Sequence, residues 1–249
     1  MIQKKQIQSL LPQDTLNPEI WDSGALDGGI RSALLRIANE FYISLDINVP
    51  VDDITFTGSL ANFNYTKFSD IDLHLLIDYS AVDENQDLVK NYMMAKKSSW
   101  NDKHDIRIKG YEVELYPQDT NEPHHSTGVY SVLRNSWLVE PAQIDVEVDI
   151  ECVREKAECL MYEIDEVLRS PNRLKKIDRL KEKIRNMRRS GLERSGEFSI
   201  ENLAFKILRR NGYLEKLYDI ANRDYDESLS LSQEGVLREY IRERFFLNS

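Results

Sequence analysis

The chain has 249 residues, of which 41% are hydrophobic and 31% charged, the composition of a soluble globular protein able to bury a substantial core in one or two domains. A formal net charge of −10 argues against indiscriminate nucleic-acid binding by the whole surface. No apolar run approaches a membrane span, and Met1-Ile2-Gln3-Lys4-Lys5-Gln6 lacks the apolar stretch of a secretory signal, so a cytoplasmic protein with no membrane partner is expected.

In chain order, Ile30 to Leu45 carries Ile30, Leu34, Leu35, Ile37, Ala38, Phe41 and Leu45 at helical spacing, predicting a helix across the back of a sheet. Pro50, Asp52 and Asp53 separate it from Ile54 to Thr57, a β-prone run ending at Gly58. A residue without Cβ lets backbone N–H groups approach an anion closely, and Ser59 adds a hydroxyl. Lys67 follows as a candidate phosphate contact, although a loop lysine is more often solvated.

Ser69 to Ile77 reads as a strand in which Ile71, Leu73, Leu75 and Ile77 alternate with Asp70, Asp72 and His74. Both aspartates then face one way, ~6.6 Å apart along the strand. At ~4 Å two such charges repel by roughly 1 kcal/mol in water and about four times that near a protein surface, which makes a divalent cation their natural partner. The competing reading takes Gly58-Ser59 as an ordinary turn and the aspartates as the solvated side of an edge strand. His74 is a candidate for orienting a ligand or touching substrate, or a hydrogen-bonded structural histidine.

Asp83 to Trp100 predicts a crossover helix. His104 to Ile108 and Tyr111 to Tyr116 then form a hairpin around Lys109-Gly110 beside the Asp70 strand, making the sheet mixed. The hairpin offers Glu112 or Glu114 as a third acid, with Glu114, between Val113 and Leu115, preferred. Val129 to Leu133 is a further strand, and Trp137 and Leu138 lead to an exit at Glu140-Pro141, dividing the chain into 1–141 and 142–249. His104, His124 and His125 suggest zinc only weakly, for no cysteine pair accompanies them, and His124-His125 reads as a surface loop.

From Val146 onward the pattern is helical. A first stripe ends near Ser170-Pro171. A second helix runs from Leu174 until Gly191 and Gly196 interrupt it; Ser199 caps a third, Ile200 to Arg210. Tyr213 to Ala221 follows Asn211-Gly212, and a last helix covers Ser232 to Phe246. Cys152 and Cys159, seven apart on the first helix, are too distant to pair and read as reduced core thiols. Between Arg169 and Arg210 there are 14 basic and 5 acidic residues, a local +9 that leaves −19 elsewhere, so this segment is a candidate phosphate- or RNA-binding region.

Gly58-Ser59, the spacer, Asp70-Ile71-Asp72 flanked by apolar residues, and the later strand acid Glu114 together resemble the nucleotidyltransferase superfamily that includes DNA polymerase beta. The wider phrases Thr57-Gly58-Ser59-Leu60-Ala61-Asn62 and Ser69-Asp70-Ile71-Asp72-Leu73-His74 are similar to predicted nucleotidyltransferases often carried by bacteriophages. The resemblance spans Ile54 to Tyr116 and implies an α+β fold: a polymerase beta-like catalytic domain with a mixed sheet and flanking helices, then an all-helical substrate-binding domain. It implies that Asp70, Asp72 and Glu114 hold Mg²⁺ or Mn²⁺, that Gly58 and Ser59 hold the β- and γ-phosphates of a nucleoside triphosphate, and that a hydroxyl attacks the α-phosphorus. RNA, with tRNA among the candidates, is the favoured acceptor, small molecules and proteins remaining open. The alternative is a catalytically silent nucleotide- or RNA-binding module of the same fold.

Overall fold

The computed structural model describes residues 2–123, 126–171 and 173–230. The expected helix from Ser232 to Phe246, and His124-His125, lie outside the described residues. The chain is a mixed α/β protein that divides into two compact units: Leu10–Val146, and the residues up to Ser9 together with those from Glu147 onward.

In the first unit, β1 (Trp21–Asp22) and β2 (Ala25–Leu26) form a short hairpin turned at Ser23-Gly24. Helix α2 (Gly28–Leu45) starts at Asp27, whose carboxylate accepts from the N–H groups of Gly29 and Ile30, satisfying two donors that the helix leaves orphaned. β3 (Asp53–Thr57), β4 (Ile71–Ile77), α3 (Tyr79–Val82), α4 (Gln86–Lys103), β5 (Arg107–Ile108), β6 (Tyr111–Asp119), β7 (Val129–Ser131) and β8 (Ser136–Val139) follow. The sheet has the order β5-β6-β4-β3-β7-β8, with β4 and β6 parallel and the other neighbours antiparallel.

Period-two alternation decides which face is which. Ile71, Leu73, Leu75 and Ile77 of β4 are fully buried and share one core with Phe56, Val113, Leu115 and Tyr130, and with Leu34, Phe41 and Leu45 of α2 and Val89 and Met93 of α4. Trp21 stacks on Phe56 and Trp137, and its indole N–H donates to the Leu60 carbonyl at 2.7 Å. Asn101 of α4 pairs both backbone groups of Leu115, at 3.2 Å each, where β6 runs on past the two residues that β5 pairs.

Several expectations shift. The predicted strand from His104 shortens to Arg107–Ile108, and the exit segment around Trp137 is itself a strand, β8. The division falls between Val146 and Glu147 rather than after Pro141. The first nine residues belong with the C-terminal helices. There α1 (Lys4–Gln8) buries Ile7 completely, the Ile2 N–H donates to Glu158, and Arg210 donates to the Gln6 carbonyl and to Ser9 Oγ.

The second unit contains α5 (Ile150–Arg169), α6 (Leu174–Ser195), α7 (Ile200–Arg210) and α8 (Tyr213–Leu229) besides α1. Leu160, Ile164, Ile177, Leu180, Ile184, Leu208, Leu214 and Leu217 form its core. The buried stripe of α5 is Val153, Ala157, Leu160, Ile164 and Leu168, one position out of phase with the cysteines, so Cys152 and Cys159 are exposed rather than core thiols. Gly191 does not break α6. It sits inside the helix where a Cβ would lie 2.6 Å from Glu201 Cβ and 2.9 Å from Ser199 Oγ, so it sets the closest approach of α6 to α7.

Glu201, at that approach, takes Lys156 at 2.6 Å and Arg194 at 2.9 Å. The Lys156 hydrogen bond above all, with Arg194 and its own backbone N–H, brings its carboxyl from 4.5 down to about 2 despite burial. A carboxyl depressed in the folded state stabilises above its unfolded value, and that contribution is lost as pH falls from 4.5 towards 2. Because both cationic arms reach solvent, roughly 1 kcal/mol is expected. Acid unfolding of the wild type should therefore lose that much more stability over this interval than Glu201→Gln, and identical pH profiles would contradict the assignment.

Candidate active site

β4 is the third of six strands, not an edge strand, and its second face carries the chemistry. Antiparallel register sets Thr57 opposite Asp72 and Thr55 opposite His74; parallel register sets Asp72 opposite Glu114 and His74 opposite Tyr116. Two polar rows cross three strands: Thr57–Asp72–Glu114, then Thr55–His74–Tyr116. Asp70 stands immediately before β4. Asp70, Asp72, His74 and Glu114 are half-buried, while Thr55 and Thr57 are buried.

Gly58 follows β3 with φ +79° and ψ −164°, backbone open almost only to glycine. A Cβ there would lie 1.8 Å from Asp72 Oδ2. The glycine therefore lets the chain turn and also provides the space in which the Asp72 carboxylate rests. Ser59 begins the short 3₁₀ turn Ser59–Ala61; its Oγ donates to Ser69 Oγ at 2.7 Å, which also accepts from the Thr66 N–H at 2.9 Å. This tie joins the turn after β3 to the approach of β4, and gives Ser69, which stands in the motif phrase without a role of its own, a structural one.

The turn is further held by the loop before β7. A Cβ on Gly128 would lie 2.1 Å from the Ala61 carbonyl oxygen, and the Asn62 amide donates to Thr127 Oγ1 at 2.5 Å. Lys67 is exposed, with its Nζ 4.9 Å from the centre of the Phe68 ring. His74 Nδ1 lies 2.8 Å from Gln118 Oε1, which as an acceptor places the ring proton on Nδ1.

The two candidate third acids differ in surroundings. Glu112 lies opposite Arg107 on β5 and is 3.5 Å from its guanidinium, whereas Glu114 lies opposite Asp72. Among the described residues, no three His, Cys, Asp or Glu side chains are gathered around one point closely enough to hold a metal ion. The face thus brings Asp72 and Glu114 into register on adjacent strands without assembling a complete ligand trio. Its donors are carboxylate oxygens, the ligand type of hard cations such as Mg²⁺ or Mn²⁺.

No helix among the described residues is long and apolar enough to cross a membrane. No protein-family profile, curated protein or solved structure matches the chain.

Proposed function

We propose that the protein is a metal-dependent nucleotidyltransferase of the DNA polymerase beta-like superfamily, moving a nucleoside monophosphate from a nucleoside triphosphate to a hydroxyl acceptor. The observation that carries this reading is the packing of Asp72 on Gly58 with Glu114 in register across β4 and β6. On this reading Leu10–Val146 is the catalytic unit and the helices from Glu147 onward bind substrate.

The residues present suit the implied cation by their chemistry: Asp70, Asp72 and Glu114 supply only hard oxygen donors, and Gly58 leaves the space that Asp72 occupies. A divalent pair, when bound, would lower the acceptor hydroxyl's pKa and counter the charge of the departing pyrophosphate. The chain's own residues then orient the substrate. Backbone N–H groups of the turn at Gly58-Ser59 would receive the β- and γ-phosphates. The Ser59–Ser69 tie keeps that turn fixed relative to the aspartates, so substrate binding spends little on ordering it. Lys67, at the exposed surface of the same loop, would add a cation to the phosphates.

Glu114 serves as the third acid because Glu112 is engaged by Arg107. Glu114→Gln is expected to lower turnover roughly 10²-fold, and Glu112→Gln less than about 3-fold, by initial-rate measurement. The reverse order would move the role to Glu112.

RNA is the favoured acceptor class because the segment from Arg169 to Arg210 concentrates cations in a chain that is acidic overall. The test is pyrophosphate release from each nucleoside triphosphate with Mg²⁺ or Mn²⁺ and total RNA, repeated between 50 and 200 mM salt at roughly the range over which phosphate contacts weaken. Release that needs RNA and falls steeply with salt supports the reading. Release independent of salt points to a small or protein acceptor. Nucleotide binding without release in any condition would favour a silent binding module.

A further inference from the structure

The helical unit carries two half-buried cations, Arg188 and Lys206, that form no ion pair with a described residue. Asn202, Phe205, Lys206 and Arg209 recur at i, i+3, i+4 and i+7, so they form one stripe on α7. Arg188 of α6 lies on that stripe: its guanidinium is 4.3 Å from the Phe205 ring centre, and its Nε donates to Asn202 Oδ1 at 3.1 Å. The Asn202 amide in turn donates to the Glu197 carbonyl at 2.6 Å, and the Ser199 hydroxyl accepts the Asn202 backbone N–H. Arg188 is thus held at one edge and over one face, with its Nη fork unused in hydrogen bonds to any described residue.

Lys206 stands beside it. Its ammonium makes no hydrogen bond or ion pair to a described residue, although the side chain is half-buried. Other half-buried cations of the unit have neighbours of their own: Lys156 pairs with Glu201, Arg173 with Asp224 in a two-pronged pair, Lys181 lies over the Tyr218 ring, and Arg210 donates to the Gln6 carbonyl and Ser9 Oγ. Burial pushes Lys206 below the ordinary lysine value, Glu197 opposes this, and Arg188 and Arg209 add to it. Burial likewise lowers Arg188, with Arg209 contributing. Glu197, the acid facing the group, is itself raised by burial, which Lys206 only partly opposes. Two half-buried cations, Arg188 and Lys206, that make no ion pair to a described residue are costly to keep in a folded protein unless an anion offsets them.

We infer that Arg188 and Lys206, joined by Arg209 on the same stripe of α7, form a binding site for a compact polyphosphate anion. An unspent guanidinium fork and an unspent ammonium are suited to phosphate oxygens, the first through paired donors and the second as a point charge. A polyphosphate fits better than a nucleic-acid strand because it concentrates several charges in linked groups, whereas a strand carries one charge per nucleotide. That the site binds a polyphosphate stands on the helical unit alone and does not depend on the proposed nucleotidyl transfer.

The test is calorimetric titration of inorganic tripolyphosphate, in EDTA, into the full-length chain and into its Lys206→Gln and Arg188→Gln variants. Lys206→Gln removes no hydrogen bond to a described residue, so it carries the test if Arg188→Gln fails to fold. Binding by the wild type that weakens at least tenfold in Lys206→Gln is expected. Equal affinity in the two, or no binding by the wild type, overturns the site. An RNA oligonucleotide that binds through Lys206 where tripolyphosphate does not would replace the polyphosphate with a strand backbone and also overturn it. Because the titration excludes metal and does not use Asp70 or Asp72, it can succeed even if nucleotidyl transfer is never observed. ATP binding that depends on Lys206, with no pyrophosphate release under any condition, would keep this site while defeating the proposed function.

Discussion

Asp72→Asn should abolish nucleotidyl transfer, lowering the rate roughly 10³-fold or more, while leaving the thermal midpoint within a few degrees of the wild type. The substitution keeps the volume of the side chain that rests on Gly58 and removes only its charge. If Asp72 merely filled that space, asparagine would fill it as well and activity would survive. If its carboxylate holds a cation against a triphosphate, the neutral amide leaves that charge poorly countered. Asp70→Asn should behave in the same way, because Asp70 lies two residues earlier on the same side of the chain. Full activity in either variant would remove the aspartates from the mechanism.

Gly58→Ala is the second large effect, and it acts on both stability and activity. At φ +79° and ψ −164° a side chain costs about 1–3 kcal/mol in backbone strain alone. The added methyl would also lie 1.8 Å from Asp72 Oδ2, so either the turn or the carboxylate must move. Moving the carboxylate disturbs its alignment with Glu114; moving the turn disturbs the Ser59–Ser69 tie. A loss of about 5 °C or more in thermal midpoint, together with a rate reduced at least about 10²-fold, is expected from unfolding scans and initial rates. Gly24→Ala provides the comparison: it shares the positive φ, with nothing within 4 Å of its Cβ, and should cost stability alone. If Gly58→Ala behaves no differently from Gly24→Ala, the contact with Asp72 has no functional weight.

Period-two alternation made one face of β4 legible in the sequence, and Ile71, Leu73, Leu75 and Ile77 are indeed fully buried. The same pattern placed Val113 and Leu115 inside and Glu114 on the face opposite to them. Which acid meets Asp72 was less legible, because the partner of a parallel strand is fixed by a crossover, here residues 78–110, rather than by a tight turn. The role of Ser69 was hidden for a related reason: its hydroxyl matters only once the loop brings it to Ser59. The strands β1 and β2, of two residues each, are too short for alternation to register.

In the helices the errors were of phase and of role. Cys152 and Cys159 share a face at seven-residue spacing, but Val153, Ala157 and Leu160 define a buried stripe one position later. Gly191, read from its low helix propensity as an interruption, lies where α7 comes too close for any side chain. The excess of positive charge between Arg169 and Arg210 could be counted, yet counting does not separate Arg194, paired with Glu201, from Lys206, which has no such pair among the described residues. That distinction needs the packing of α6 on α7.

The most direct measurement follows the α-phosphate. Wild type and the Asp70→Asn/Asp72→Asn double variant are incubated with each α-phosphate-labelled nucleoside triphosphate, Mg²⁺ and whole-cell extract, and label is traced into RNA, protein and small-molecule fractions. Transfer by the wild type into one fraction, absent from the double variant, is the predicted result and would identify the acceptor class. Equal label in both, or none in any fraction despite nucleotide binding, would contradict nucleotidyl transfer through these aspartates.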